Sequence, residues 1–247
     1  MDKKQYGLIG QSLKHSFSEK YFENKFEKDN ILDSSYKLYE IENINLFPKL
    51  LQNTPSLIGL NVTIPYKEII LPFLSDIDAK AKDIGTINTI KISNNGKTLK
   101  GYNTDYYGFK KSLKPFLDIN HERALIFGTG GASKTVKYVL NELNIKCLLV
   151  SRNPTKDDEI SYDDVNEYVI KHHQIIINTT PVGMFPNIND FPKFDYENLT
   201  SKHLLYDLIY NPEETVFLKK GREKGAITLN GLQMLKLQAE KSWEIWH

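Results

Sequence analysis

The chain has 247 residues, of which 40% are hydrophobic and 26% charged, and its formal net charge is +1. This composition is typical of a globular protein with one large or two modest domains, and it provides no electrostatic footprint for nucleic acid or an anionic membrane. No apolar stretch is long enough to span a bilayer and the N-terminal residues contain no apolar signal-peptide core, so we expect a cytoplasmic protein.

Two residue types with specialised chemistry are sparse. The single cysteine, Cys147, lies in an apolar run and excludes an internal disulfide, so we expect it to fill the core. The six histidines show no metal-ligand spacing, and we expect no metal site.

The first third of the chain contains three predicted strands and a serine-containing loop. Apolar patterning predicts strands over residues 5–10, 36–41 and 57–63, with helices after residue 18 and around residues 46–51. In the loop, Ser16 and Glu19 fit a helix capping box, and Ser18 fits a simple helix cap. For both serines, capping the helix is the alternative to a role in binding.

The third strand ends in a segment that combines Thr63, Pro65 and Lys67. Proline cannot continue a strand interior, so the chain must turn here. Thr63 and Lys67 are thereby placed at the carboxyl end of a strand, where open α/β sheets bind ligands. The alternative for Lys67 is a solvated lysine at a helix start, although the helix dipole disfavours a cation there.

A helix over residues 78–83 precedes two strands, residues 89–92 and 98–101, which Asn94, Asn95 and Gly96 connect as a predicted hairpin turn. A helix then runs to residue 113. Asp105 lies at its start, where an acid is also a good cap and matches the helix dipole.

Residues 123–134 have the order strand, glycine-rich turn, helix. Ala124 to Phe127 form the apolar strand, glycines follow at positions 128, 130 and 131, and we expect Ser133 to cap the helix. Backbone N–H groups at such a helix start bind anions, and glycine allows a pyrophosphate to approach closely. The alternative is a turn whose glycines serve packing alone.

The next predicted strand, residues 147–150, ends in Ser151 and Arg152, with Lys156 close behind. An NAD site usually has an acidic residue at this place to bind the ribose hydroxyls. Arginine instead provides a planar fork of donors that suits a 2′-phosphate. The segment therefore favours NADP over NAD.

Further strands are predicted at residues 174–178, 204–208 and 226–229, with helical segments between most of them. This alternation predicts a parallel sheet with right-handed crossovers. We therefore predict an α/β fold with an N-terminal α/β substrate domain (residues 1–103) and a Rossmann-like NADP-binding domain (residues 104–231), with a cleft between them. The last helix, residues 232–247, is expected to pack back on the first domain.

Five short motifs, taken in order, resemble those of the shikimate dehydrogenase family, and the resemblance covers nearly the whole chain. They lie at residues 10–18, 61–67, 85–89, 101–108 and 128–132, and they match a loop ending in Ser-x-Ser, Asn-Val-Thr-x-Pro-x-Lys, Gly-x-x-Asn-Thr, Asn-Thr-Asp and Gly-x-Gly-Gly-Ala. Lys156 stands where the family more often has arginine.

The resemblance implies NADPH-dependent, reversible reduction of 3-dehydroshikimate to shikimate, a step of aromatic amino acid biosynthesis. It implies Lys67 and Asp105 as the catalytic pair. It implies substrate contacts from Ser16, Ser18, Thr63, Lys67, Asn88, Asp105, Tyr210 and Gln238. It implies cofactor contacts from Gly128, Thr129, Gly130, Gly131, Ala132, Ser151, Arg152, Asn153, Lys156, Gly231 and Met234.

The residues agree with this chemistry, because hydroxyl and amide side chains suit a small polyol and a lysine polarises a carbonyl without a metal. Two alternatives remain: a quinate/shikimate dehydrogenase that uses NAD, and a catalytically idle NADPH-binding sensor. The basic turn at Arg152 argues against the first, and the joint presence of Lys67 and Asp105 argues against the second. The expected assembly is a monomer or a homodimer, with a small-molecule substrate and no nucleic-acid or membrane partner.

Overall fold

The structure is a computed structural model that describes residues 3–14, 16–93 and 96–247. The chain divides into two compact units, Met1–Thr104 with Ala239–His247, and Asp105–Gln238. The sequence placed the two joins at 103/104 and 231/232, whereas this division places them at 104/105 and 238/239. Each unit is built on its own six-stranded sheet, which confirms the predicted α/β class.

The elements of the first unit are β1 Lys4–Gly10, α1 Ser18–Lys28, β2 Ser34–Glu40, α2 Phe47–Asn53, β3 Leu57–Val62, α3 Tyr66–Ile69, β4 Asp76–Ile77, α4 Ala79–Ile84, β5 Thr89–Ser93 and β6 Thr98–Tyr102. Its strand order is β2-β1-β3-β5-β6-β4. β1 is parallel to β2 and β3, whereas β5 is antiparallel to both β3 and β6. The turn predicted between β5 and β6 includes Asn94 and Asn95, which lie outside the described residues.

The chain's last turns complete the core of the first unit. Trp246 is 5% exposed and donates its indole N–H to the Ile90 carbonyl over 3.0 Å. Its ring lies where a side chain at Gly59 would be, since a Cβ there would come within 2.6 Å of three ring atoms. The Tyr6 ring packs against Trp246 with centroids 5.0 Å apart. Residues 239–247 therefore contribute to the core of the first unit.

The remaining elements are α5 Thr104–Leu113, β7 Arg123–Phe127, α6 Gly131–Glu142, β8 Lys146–Val150, β9 Glu159–Ile160, α7 Glu167–His172, β10 Ile175–Asn178, β11 Leu204–Asp207, α8 Val216–Glu223, β12 Ile227–Leu229 and α9 Leu232–Trp246. All belong to the second unit except the first residue of α5 and the part of α9 from Ala239 onward. The strand order of the second unit is β12-β11-β10-β7-β8-β9, with every pairing parallel. This is a doubly wound order whose direction reverses between β7 and β10, the place where such sheets bind ligands.

Apolar side chains cover both faces of this second sheet, which is why its strands are short continuous apolar runs. Residues 179–203, all described, connect β10 to β11 with only a 3-10 turn at Tyr196–Asn198 in place of a crossover helix. Cys147 is partly buried, and burial raises the pKa of its thiol to about 12. Within the described residues, no helix is both long and apolar enough to cross a membrane.

Candidate active site

Several predicted substrate residues of the first unit meet at one edge of its sheet. The Thr63 N–H donates to the Ile9 carbonyl over 3.0 Å, which joins the ends of β3 and β1. The Val62 N–H donates to the Asn88 carbonyl over 2.9 Å, and the Asn88 N–H donates to the Tyr102 carbonyl over 3.1 Å. Because β5 runs antiparallel to β3, its start shares the edge at which β1 and β3 end.

Ser16 and Ser18 lie where α1 begins, although not in the capping box that the sequence suggested. The helix starts at Ser18 with Phe17 at the N-cap, whose side chain makes no capping bond. Ser16 Oγ accepts the Ser18 N–H over 3.2 Å. The capping-box prediction is therefore wrong, because the helix begins one residue later than it required. Ser16 nevertheless satisfies one helix N–H.

Lys67 lies in the short helix α3, directly after the turn at Pro65. The Thr63 carbonyl accepts the Tyr66 N–H over 2.9 Å and so closes this turn. The Lys67 carbonyl accepts the Ile87 N–H over 2.7 Å. The backbone of Lys67 is thus tied to the residue that precedes Asn88, and its side chain is partly buried.

The Asn88 side chain is 3% exposed and both its polar atoms bind Thr104. Its Oδ1 accepts the Thr104 N–H over 2.6 Å, and its Nδ2 donates to Thr104 Oγ1 over 2.9 Å. A carboxamide bound in this way has a fixed orientation, since exchanging its oxygen and nitrogen would set its NH2 against the Thr104 N–H, two donors facing each other.

Sequence reasoning missed three buried polar residues behind this edge, Tyr36, Asn61 and Ser242. The Asn61 Nδ2 donates to the Asn88 carbonyl, and its Oδ1 accepts the Tyr36 hydroxyl over 2.8 Å. One signal was available, because an asparagine in the apolar strand β3 needs a buried hydrogen-bond partner. Nothing local marked Ser242, whose partners lie far away along the chain.

The second unit brings Asp105 and Gln238 onto neighbouring helices. Gly108, one turn after Asp105 on the same face of α5, packs against α9. A Cβ at Gly108 would lie 2.6 Å from the Met234 carbonyl oxygen and 3.1 Å from the Gln238 Cβ. Only glycine allows this approach. Asp105 is 9% exposed, Gln238 8% and Met234 9%.

Tyr210 follows β11 in a loop that contacts the start of α9. The Gly231 N–H donates to the Ile209 carbonyl over 2.9 Å. A Cβ at Gly231 would lie 2.0 Å from the Leu208 carbonyl oxygen, so the two segments are in close contact. The fold therefore brings Tyr210 near Gly231.

The glycine turn follows β7 at the point where the strand order reverses. Gly128 has φ +107°, and a Cβ there would lie 2.8 Å from Thr179 Oγ1. At Gly130 a Cβ would meet nothing within 4 Å, which leaves open space in front of the helix start. The turn thus has the shape to receive a pyrophosphate, with Thr129, Gly131 and Ala132 around it.

The prediction that Ser133 caps α6 is wrong. Gly130 is the N-cap in extended conformation, and the helix begins at Gly131. Ser133 is instead buried at 1% exposure and its hydroxyl donates to the Gly130 carbonyl over 2.6 Å. The glycines permit an earlier helix start, and the serine stiffens the turn from inside.

The end of β8 presents the predicted 2′-phosphate residues. Ser151 is buried, its N–H donates to the Ile160 carbonyl, and its Oγ accepts the Asn153 N–H over 3.2 Å. Arg152, Asn153 and Lys156 are exposed. The Gly128 N–H donates to the Val150 carbonyl over 3.0 Å, so this end lies beside the glycine turn. The residues present therefore fit NADP.

Glu159 contacts the same loop from its far end. Its Oε2 accepts the Thr155 N–H over 2.9 Å, and this hydrogen bond lowers the pKa of the carboxyl group. Its Oε1 lies 3.6 Å from Lys156 Nζ. Lys156 thus has a carboxylate partner besides any phosphate.

A cavity of about 910 Å³ lies elsewhere in the second unit, at the amino ends of β7, β10 and β11, where Arg123, Gln174 and His203 line it. Open parallel sheets bind ligands at the opposite, carboxyl edge. The glycine turn lies at that carboxyl edge, and this cavity does not.

Comparisons with known proteins match both the first unit and nearly the whole chain. A family model described as "Shikimate dehydrogenase substrate binding domain" matches residues 8–90. The chain is 41% identical to "Shikimate dehydrogenase (NADP(+))" of Clostridium beijerinckii, an alignment that covers 98% of this chain and 91% of that protein.

Solved structures show the same architecture. The shikimate 5-dehydrogenase of Thermus thermophilus in complex with NADP(H) and shikimate is 25% identical, with a TM-score of 0.85 over 98% of this chain and 92% of that one. The quinate dehydrogenase of Corynebacterium glutamicum in complex with NAD is 26% identical, with a TM-score of 0.88 over 100% of this chain and 94% of that one. From the near full-length identity to the Clostridium protein, together with the matched substrate-domain model, the chain belongs to the shikimate dehydrogenase family.

Proposed function

We propose that this chain is an NADP-dependent shikimate dehydrogenase that catalyses the reversible reduction of 3-dehydroshikimate to shikimate. The observation that carries the proposal is the meeting of hydroxyl, amide and lysine residues at one sheet edge of the first unit, in a chain 41% identical to a shikimate dehydrogenase (NADP(+)). The 25%-identical Thermus structure with shikimate and NADP(H) supports the same pair of ligands.

The substrate residues suit shikimate, a ring with one carboxylate and three hydroxyls. The proposed contacts are hydroxyl, amide, amino and carboxylate side chains, namely Ser16, Ser18, Thr63, Lys67, Asn88, Asp105, Tyr210 and Gln238. The start of α1 adds backbone N–H groups beside Ser16 and Ser18, and these favour the substrate carboxylate. A site built to hydrogen-bond hydroxyls rejects analogues that leave its groups unpaired.

The proposed chemistry assigns one role to each member of the catalytic pair. NADPH supplies the hydride that adds to the C3 carbonyl carbon. Negative charge then develops on the carbonyl oxygen, where the Lys67 ammonium stabilises it and donates the proton that completes the alcohol. Asp105 holds the lysine and accepts a hydrogen bond from the adjacent substrate hydroxyl. In the reverse direction Lys67, once neutral, removes the same proton.

The cofactor proposal rests on the shape of the glycine turn and on the exposed cations at the end of β8. Gly128 to Ala132 with the start of α6 would hold the pyrophosphate, Ser151, Arg152, Asn153 and Lys156 the 2′-phosphate, and Gly231 and Met234 the nicotinamide side. The quinate dehydrogenase with NAD shares this fold, so the fold alone does not distinguish the two cofactors, and we assign that choice to the residues after β8. At this place the present chain has Ser151 and Arg152 and no acid.

The test is to mix purified protein with shikimate and NADP and to follow the absorbance of NADPH. We expect turnover with shikimate and NADP, and much less with NAD or with quinate. Turnover of quinate with NAD alone would favour the quinate dehydrogenase alternative, and NADPH binding without any turnover would favour the sensor. The cytoplasmic location stays a prediction.

A further inference from the structure

A closed group of hydrogen bonds lies behind the substrate edge of the first unit. Tyr36 of β2, Asn61 of β3, Thr89 of β5, Thr104 of α5 and Ser242 of α9 form it, and each is at most 5% exposed. Burying five polar side chains together costs free energy unless every donor and acceptor is satisfied. An all-apolar core would avoid that cost, so the group requires another explanation than packing.

The centre of the group is a triangle of three hydroxyls. Thr89 Oγ1 lies 2.8 Å from Ser242 Oγ and 3.0 Å from Thr104 Oγ1, and Thr104 Oγ1 lies 3.1 Å from Ser242 Oγ. A hydroxyl has one hydrogen and two lone pairs. The triangle therefore closes when each hydroxyl donates to the next, and each keeps one lone pair for an outside donor.

Two amides supply those outside donors. Asn61 Nδ2 lies 2.9 Å from Ser242 Oγ, 3.2 Å from Thr89 Oγ1 and 3.2 Å from the Asn88 carbonyl oxygen, so its two hydrogens are shared among three acceptors. Asn88 Nδ2 donates to Thr104 Oγ1 over 2.9 Å. The loss of one hydroxyl would break two sides of the triangle. The triangle holds the Asn88 amide through Thr104.

Tyr36 connects this group to α1, the helix that begins at Ser18. Its hydroxyl donates to Asn61 Oδ1 over 2.8 Å. The Phe22 ring, one turn after Ser18 on α1, stacks on the Tyr36 ring with centroids 4.4 Å apart. Asn61 therefore lies between α1, with Ser18 at its start, and Asn88.

We propose that Tyr36, Asn61 and Ser242 are positioning residues that set the distance between Ser18 and Asn88, and hence the fit of the substrate's polar groups. The inference rests on the proposed function. Ser18 and Asn88 come from different segments of the chain, and neither segment alone fixes their separation. Productive binding of a small polyol depends on such placement to a fraction of an ångström.

The main test is Tyr36→Phe, which removes one oxygen and keeps the ring. The matched control is Tyr206→Phe in the second unit, another buried tyrosine, whose hydroxyl pairs with Ser112 Oγ over 2.7 Å. We expect Tyr36→Phe to raise the KM for shikimate about tenfold, the size of one well-placed hydrogen bond, with the KM for NADP unchanged. Tyr206→Phe should change neither KM.

A second variant covers the case in which Tyr36→Phe does not fold. Ser242→Ala opens the triangle at α9 and should raise the KM for shikimate about threefold. Combined with Tyr36→Phe, its effect should be smaller than the product of the two, since both act through Asn61. If Tyr36→Phe does not fold, the Ser242→Ala result decides alone.

The outcomes separate this inference from the proposed function. If the wild-type protein does not turn over shikimate, both the proposed function and this inference are wrong. Active wild-type protein whose Tyr36→Phe and Ser242→Ala variants keep a normal KM for shikimate, or raise the KM for NADP equally, removes the inference and leaves the function standing.

Discussion

Thr104 and Asn88 are joined through both polar atoms of the Asn88 side chain, by the Thr104 N–H to Asn88 Oδ1 over 2.6 Å and by Asn88 Nδ2 to Thr104 Oγ1 over 2.9 Å. Asp105 is the next residue of the chain. A proposed substrate residue thus holds the backbone directly before the proposed catalytic carboxylate. A substitution at Asn88 or Thr104 would also disturb the backbone before Asp105, so the role of Asp105 is tested by substituting Asp105 itself.

Lys67→Ala should lower kcat at least a hundredfold, because general acid help contributes about 10²–10⁴ in rate. The lysine acts chiefly when charge develops on the substrate oxygen, so kcat should fall more than KM rises. Steady-state kinetics and a cofactor-binding titration measure this, with Lys49→Ala on the exposed side of α2 as a control. A near-normal kcat would leave Lys67 only a role in substrate placement.

Asp105→Asn should lower kcat and also raise the KM for shikimate, since the carboxylate is proposed to contact both the lysine and a substrate hydroxyl. The variant keeps the side-chain shape and removes the charge. Combined with Lys67→Ala, the loss should be far less than the product of the single losses, as residues that act as one unit are not additive. Simple multiplication would show that the two residues act independently.

Arg152→Ala should weaken NADP binding about tenfold to a hundredfold, the range for a charge-assisted, bidentate contact, and should leave NAD binding unchanged. Lys156→Ala should cost only about threefold, because the ammonium is solvent-exposed and lies 3.6 Å from the Glu159 carboxylate. Kd values for both cofactors test this. Equal losses for NADP and NAD would mean that Arg152 supports the loop and does not bind the phosphate.

Ser18→Ala should raise the KM for shikimate more than Ser16→Ala does. Ser16 Oγ already accepts the Ser18 N–H over 3.2 Å, so it has one lone pair fewer to offer the substrate. Ser16→Ala should in addition lower the Tm, since that N–H loses its acceptor. Kinetics and thermal melts on both variants decide. The opposite order of KM values would contradict the assignment.

Asp207 predicts a pH dependence of stability. Burial raises its pKa to about 7, and hydrogen bonds from Thr215, Ile209 and Asn178 offset only part of that rise. In the unfolded chain the pKa of this carboxyl group is about 3.9. Between these values the unfolded chain has lost the proton that the folded chain keeps, so the free energy of unfolding falls as the pH rises through this window and is level above it.

Asp207→Asn removes this titration, and its amide can still accept from Ile209 while donating to Thr215. Between about pH 4 and pH 7, the free energy of unfolding of the variant should rise by up to about 4 kcal/mol relative to that of the wild type. Denaturant unfolding at several pH values tests this, with Asp163→Asn, an exposed carboxylate, as the control. Parallel curves for Asp207→Asn and wild type would show that the folded protein holds an ionised Asp207.

Local patterns predicted the regular elements because each has its own signal. The run from Ala124 to Phe127 is apolar on both faces and became a central strand. The two-residue strands β4 and β9 are too short for any periodicity to reveal. The start of α6 was misplaced because Gly130, and not Ser133, sets it.

Candidate site residues could be predicted from the sequence only where a polar or charged residue stands at a recognisable strand end or helix start. Ser18, Lys67 and Arg152 stand at strand ends or helix starts, which the sequence reveals. Asn61 and Ser242 depend on partners from distant segments, so no local pattern identifies them. The roles of the site residues stay predictions until the variants are measured.

The packing of Trp246 on Gly59 has a consequence for the order in which the chain folds. The first unit is made first, yet its core includes Ala239–His247, which are synthesised only after the whole of Asp105–Gln238. Chains grow at about 5–20 residues per second and domains tend to fold as they emerge. The second unit is contiguous and can form during synthesis, whereas the earlier-made unit must wait with Gly59 and Ile90 uncovered. In a growing chain, the later-made unit is therefore the first able to complete its core.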